Sequence, residues 1–256
     1  MTNATLLAPA NARMTREDLK ALPTPPVLGP RHKPVSHAAL VEGLSETLAA
    51  NGLRITEEEY ACGGRDQARV FGVMKVTPTT FDHPLAVANR EDSAYALGLV
   101  SGNDKSVAVR ISIARSVLVC TNLCISGEIA LSKRHTTRLD IGSALSEGVE
   151  RWIEKQVDMT LLMDQAKSIT LTPDQARLRI FKAFEGKILA TRYFPYVVES
   201  VFNPKPEWTD ITGYPNSLWS LHNGFSRALR LAPARVRMEA TTRLAGLLRP
   251  EWPETN

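Results

Sequence analysis

Cysteine is scarce in this 256-residue chain. The three present, Cys62, Cys120 and Cys124, are too few for a disulfide framework and lack the paired spacing of structural zinc. Reduced thiols are expected, and no metal or other cofactor. Long apolar runs are missing too: none approaches the roughly 20 residues that a membrane span needs, so no membrane partner is expected. Met1 to Ala12 has no basic stretch leading into an apolar one and does not read as a secretory signal. Charge of one sign is not in large excess, with 31 Lys and Arg against 27 Asp and Glu, a mildly basic balance that alone decides nothing. What is plentiful is ordinary apolar content, 43% of residues, enough to bury a core.

Pro23-Thr24-Pro25-Pro26 and Gly29-Pro30 resist regular structure, so residues 1–35 read as a Pro-rich N-terminal arm, with a short helix over Thr15 to Leu22. Residues 36–256 read as one domain. Ser36 is placed to cap a helix to Ala50, with Leu40, Leu44 and Leu48 a turn apart and Asn51-Gly52 as its stop. From Leu53 to Lys133 the pattern turns to period two. Strands are predicted at 53–61, 68–76, 95–100, 106–119 and 125–133, mostly joined by turns too short for helical crossovers, which favours antiparallel pairing. Helices are predicted at 143–167, Pro173–Lys187, Asn216–Leu231 and Pro233–Leu248, with an ordered link from Tyr193 to Tyr214. The fold class is α+β: an antiparallel meandering sheet over 36–140 with a helix packed on it, then a mainly helical half over 141–256.

Catalytic signals are weak. Gly98 to Ser106 has the composition of a phosphate-binding loop, but two residues separate its second Gly from Lys105 and a strand follows instead of a helix; a hairpin turn fits better. Cys120 and Cys124 sit at a strand end like small hydrophobes, His135 has no second histidine at ligand spacing, and His32, His37, His83 and His222 are scattered. Glu57-Glu58-Glu59 reads as a solvated charge run. No catalytic residue is nominated, and the protein is not expected to be an enzyme.

Basic residues on strands say more. Alternation puts Val70, Met74 and Val76 on one face and Arg69, Phe71, Val73 and Lys75 on the other. On the next long strand Val107, Val109, Ile111 and Ile113 oppose Arg110 and Ser112, with Arg115 breaking the pattern; Lys133, Arg134 and Arg138 follow the last strand. Cations beside an exposed ring suit single-stranded nucleic acid, phosphates on the cations and a base on the ring. A Phe71 packed beneath the helical half, with the cations along a solvated rim, fits the same pattern. Near the C-terminus Arg227, Arg230, Arg235, Arg237, Arg243 and Arg249 face Glu239 alone, a second basic surface that fits phosphates or acidic residues of another subunit.

Three stretches, Gly63-Gly64-Arg65 with Val70 to Lys75, Ser106 to Arg110 leading to Val117-Leu118-Val119-Cys120-Thr121-Asn122, and Asn216 to Phe225, occur in this order. Over residues 36–232 they resemble the phage/plasmid-like family called domain of unknown function 932. More loosely, the chain resembles the single-stranded-DNA-binding transcription regulators of podoviruses that package their own RNA polymerase. It departs from the family in a shorter turn at Asn103-Asp104 and in its arginine-rich end. The resemblance carries no catalytic residues over; it implies a phage protein in the host cytoplasm serving transcription regulation, replication or recombination. The expectation is a single-stranded DNA-binding protein with little sequence preference, using Arg69, Phe71, Lys75, Arg110, Arg115, Lys133, Arg134, Arg227, Arg230, Arg235 and Arg237. Homo-oligomers such as a tetramer, and a phage or host RNA polymerase, are the expected partners. The alternative is a protein–protein adaptor or inhibitor of a host factor that binds no DNA.

Overall fold

The computed structural model describes residues 12–87, 93–117 and 122–232, together with 236, 240, 243 and 244. Its elements run β1 (Ala12–Met14), α1 (Arg16–Ala21), α2 (His37–Ala50), β2 (Leu53–Gly63), β3 (Arg69–Pro78), α3 (Pro84–Val87), β4 (Ser93–Gly102), β5 (Val109–Val117), β6 (Asn122–Lys133), α4 (Ile141–Ser168), α5 (Pro173–Glu185), α6 (Phe194–Phe202), α7 (Thr209–Thr212) and α8 (Leu218–Leu229). The strands form one antiparallel meander in the order β1 to β6. The α+β architecture, sheet first and helices after, is the one the period change at residue 141 predicts.

Local chemistry places most helix ends. Ser36 Oγ accepts from the Ala39 amide at the start of α2. Asn51 follows its last turn, and Gly52 takes the left-handed conformation (φ +69°) that a side chain resists. Reciprocal Thr172–Gln175 hydrogen bonds cap α5, where Pro173 takes the first position. Leu40, Leu44 and Leu48 are fully buried, each worth about 1.5–3 kcal/mol of apolar burial. Opposite them stand Val70, Met74, Leu97, Leu99, Ile111 and Ile113.

The longest helix, α4, lies on the β4–β6 side of the sheet. Its Trp152 Nε1 donates to the Ala96 carbonyl at 3.2 Å, and Gln156 Nε2 donates to the Ala114 carbonyl at 3.2 Å. Contact is close enough that a Cβ on Gly148 would come 3.0 Å from Leu131 Cβ.

Two segments gain detail. In residues 12–35, read as an arm, β1 pairs with β2, Leu19 of α1 is in the core, and the stretch from Leu22 to Val35 is strapped across the end of the sheet. The strap is held by Asn103, whose side chain accepts from the Val35 amide (3.0 Å) and donates to its carbonyl (2.9 Å), and by the Lys33 and Thr137 amides donating to the His135 and Arg31 carbonyls. Backbone polarity that the prolines leave unpaired locally finds partners across the fold. The link from Tyr193 to Tyr214 contains α6 and α7. The helix expected at Pro233–Leu248 lies mostly outside the described residues; within it Val236, Ala240, Arg243 and Leu244 are helical, and Ala240 and Leu244 are buried in the main core.

Candidate nucleic-acid interface

The alternation on β3 is as predicted, but its second face does not offer a stacking platform. Phe71 is 3% exposed, within a cluster of strand residues that also holds Ala61, Val73, Ala96, Val100 and Ala114, separate from the core under the helices. Ala61 of β2 and Val100 of β4 stand directly across from it, and the ring is not an open platform. Lys75 is 6% exposed, and its Nζ lies 2.8 Å from Oε2 of Glu57, its direct cross-strand neighbour. Arg69 Nε lies 2.7 Å from Asp104 Oδ2. Phe71, Lys75 and Arg69 are therefore corrected from ligand contacts to parts of the fold: apolar contact buries the ring, and a carboxylate already neutralises each cation.

The other basic residues divide. Lys133 Nζ sits 3.1 Å from Glu147 Oε2. The Arg227 guanidinium lies 4.3 Å over the Trp208 ring, and Arg230 is the half-buried C-cap of α8; neither lines the cleft described next. Arg115 pairs through its backbone with Tyr95 and Cys124, and its side chain lies outside the described residues, as do Arg235 and Arg237 entirely.

Arg110 and Arg134 are both exposed and line one cleft of about 880 Å³. One wall is the strap from Leu28 to His32; the other is the turn from Lys105 to Ala108 with the ends of β5 and β6. Arg31, Lys105, Arg110 and Arg134 bring four cations to it, and Ser106, Ser132 and Thr136 bring hydroxyls. No carboxylate is among its described lining residues. In register, Arg110 stands between Val100 and Ser132, both neutral. Lys105 takes the positive φ (+65°) of the β4–β5 turn and donates through Nζ to the Leu28 carbonyl across the cleft. Burial pushes the Asp104 carboxyl up, but hydrogen bonds from Ser106 and Arg69 outweigh it and hold the pKa below the usual range, so its charge is engaged away from the cleft.

Two buried histidines form the cleft's floor, His32 at 5% and His135 at 7% exposure, their rings 6.1 Å apart. His32 Nδ1 accepts from the Leu28 amide, so the neutral ring carries its proton on Nε2. His135 Nε2 lies 3.0 Å from Ser101 Oγ, which is fully buried on β4. Burial, then the charge of Lys105, lowers the His32 pKa; burial, then His32, lowers that of His135. Both rings are neutral at pH 7, and both add positive charge beneath the cleft on acidification.

Beside this cleft, across the Asp104–Lys105 turn, is a smaller cavity of about 290 Å³ roofed by Pro23 to Pro26. Leu28 lines both. Sequence reasoning found Arg110 and Arg134 and missed Arg31, Lys105, His32 and His135. Those four lie in a Pro-rich segment and in turns, where no period marks them, and only Arg31 adjoins a Pro. Among the described residues no helix is long and apolar enough to cross a membrane. No protein-family model, no curated protein and no solved structure matches the chain.

Proposed function

We propose that the protein binds single-stranded DNA with little sequence preference, along the cleft between the strap and the ends of β5 and β6. The observation that supports this reading is the gathering of Arg31, Lys105, Arg110 and Arg134 in one cleft whose described lining contains no carboxylate. Guanidinium groups and hydroxyls donate to phosphate oxygens, and phosphate contacts supply affinity without reading sequence. Four neutralised phosphates on a single strand give a log–log salt slope of about −3. Copies arranged along one strand add avidity, and coating a template in this way serves transcription regulation, replication or recombination, the setting that the phage-family resemblance implies.

The test is a fluorescence-anisotropy titration with labelled single-stranded and duplex DNA of equal length at two salt concentrations. Tighter binding of the single strand, with the salt slope above, is the expected result; no binding at low salt overturns the reading. A second reading, a docking surface for another protein or a second copy, is favoured by the exposed Leu178 and Phe181, one turn apart on α5. Concentration-dependent light scattering of wild type and Phe181→Glu separates a second copy from a monomer.

A further inference from the structure

We infer that the smaller cavity is a pocket for one unpaired nucleobase of the strand whose phosphates lie in the basic cleft. The inference rests on the phosphate reading of that cleft and adds what the strand's bases do.

Three observations converge on it. First, the cavity is mainly apolar, walled by Leu19, Leu22, Leu28 and prolines of the strap with Arg65, Asp66 and Asp104 also lining it, and its volume of about 290 Å³ admits a flat ring system. Second, His37, one of the residues that line it, holds an unused acceptor buried just behind the cavity wall. His37 Nε2 lies 3.0 Å from the Gln67 carbonyl, which only accepts, so the proton is on Nε2 and the lone pair on Nδ1. That Nδ1 has no hydrogen-bond partner, although the residue is only 5% exposed and lines the cavity. A buried acceptor left unmade is costly, and a ligand N–H relieves it. Third, the cavity adjoins the cleft. Leu28 borders both, and at the dividing turn Asp104 faces the cavity while Lys105 faces the cleft. A base in one and its phosphate in the other are parts of a single nucleotide.

The chemistry of the occupant follows. It needs an apolar flat body and an N–H on its edge, which every nucleobase has as an exocyclic amino or a ring imino group. One acceptor separates the bases little, in keeping with weak sequence preference. It does separate strands, because a paired, stacked base has its Watson–Crick edge taken and no free face to enter a pocket. The pocket thus supplies the single-strand selectivity that the buried Phe71 does not. Asp66 and Gln67, both left-handed at φ 52° and 53°, form the wall that holds His37, a conformation the surrounding contacts must enforce.

The experiment compares oligothymidylate with an abasic deoxyribose-phosphate oligomer of equal length and charge. Affinity is measured for wild type and for Thr24→Trp, which fills the cavity from its exposed roof, and the histidine nitrogens are followed by NMR on ¹⁵N-labelled protein. The pocket predicts about tenfold tighter binding of oligothymidylate by wild type, with the His37 Nδ1 resonance moving only for that ligand. It also predicts loss of the difference in Thr24→Trp with the salt slope kept. Equal affinity of the two oligomers for wild type, with His37 Nδ1 unmoved, overturns the pocket and leaves the phosphate cleft standing. Failure of both oligomers to bind overturns the cleft itself, and the pocket with it.

Discussion

Two groups of cations sit on the same sheet with opposite surroundings. On β3, Arg69 and Lys75 each end on a carboxylate, Asp104 and Glu57, and the ring between them is buried. At the other end of the meander, Arg110 and Arg134 share a cleft with Arg31 and Lys105, and no carboxylate is among its described lining residues. What a cation can do is set by the carboxylate its side chain reaches, whether across the strands in register, as for Lys75, or in the adjoining turn, as for Arg69. Lys75 faces Glu57, whereas Arg110 faces Ser132 and Val100. The first arrangement stabilises the sheet, and the second leaves charge for an anion.

The sharpest way to break this contrast is Phe71→Ala. It empties a buried ring site and is expected to cost about 3–5 kcal/mol of stability in urea denaturation. Affinity of the folded protein for single-stranded DNA stays within about twofold, because the ring touches no ligand. Lost affinity with unchanged stability returns the binding site to β3.

Acid stability separates the histidines of the two halves. Burial holds His222 of α8 down to about 4, against an ordinary 6.5. The unfolded chain therefore takes up that proton first as pH falls. The contribution is intact above pH 6.5 and is lost progressively toward pH 4, by about 3 kcal/mol. His222→Gln flattens this part of the pH–stability curve, which denaturant midpoints between pH 4 and 7 measure.

Charge reversal tests the cleft itself. Arg110→Glu with Arg134→Glu is expected to weaken single-strand binding about 100-fold at low salt and to shallow the salt slope. The melting temperature changes little, since both side chains are exposed. An unchanged affinity in the anisotropy titration rejects the cleft.

Smaller effects sharpen the picture. Acidification below the ordinary histidine range protonates His32 and His135 beneath the cleft, so affinity for oligothymidylate rises a few-fold, whereas the free protein loses stability because both pKa values lie below their unfolded ones. A His32→Asn, His135→Gln double variant removes the rise. Smallest of all, Arg69→Ala removes a half-buried ion pair and lowers stability by about 1 kcal/mol or less, with binding unchanged.

Much of the fold was legible in the residues. Thr172 with Gln175, Ser36 before its leucine repeat and Asn51-Gly52 after it mark helix ends through bonds made within a few positions. Period-two alternation and short links imply the meander. The strap was not legible, because its prolines exclude local structure and its partners, Asn103 and His135, are about 70 and 100 positions away. β1 escaped for a related reason: three residues carry no period, and its pairing with β2 is a contact across the fold.

The candidate site divides the same way. Alternation determined that Phe71 and Val70 lie on opposite faces of β3, and that was correct. It did not determine that Phe71 would be buried, with Ala61 and Val100 across from it, nor that Glu57 and Asp104 would neutralise its basic companions. The cleft joins residues 31, 105, 110 and 134, and its adjoining cavity joins residues 19 to 37 with 65 to 68 and the turn at 103 and 104. The sequence by itself determined caps, periods and turns, whose energies come from neighbours along the chain. Only the tertiary structure decided which charges are paired and which cavities adjoin, because Coulomb energy and burial depend on distance in space.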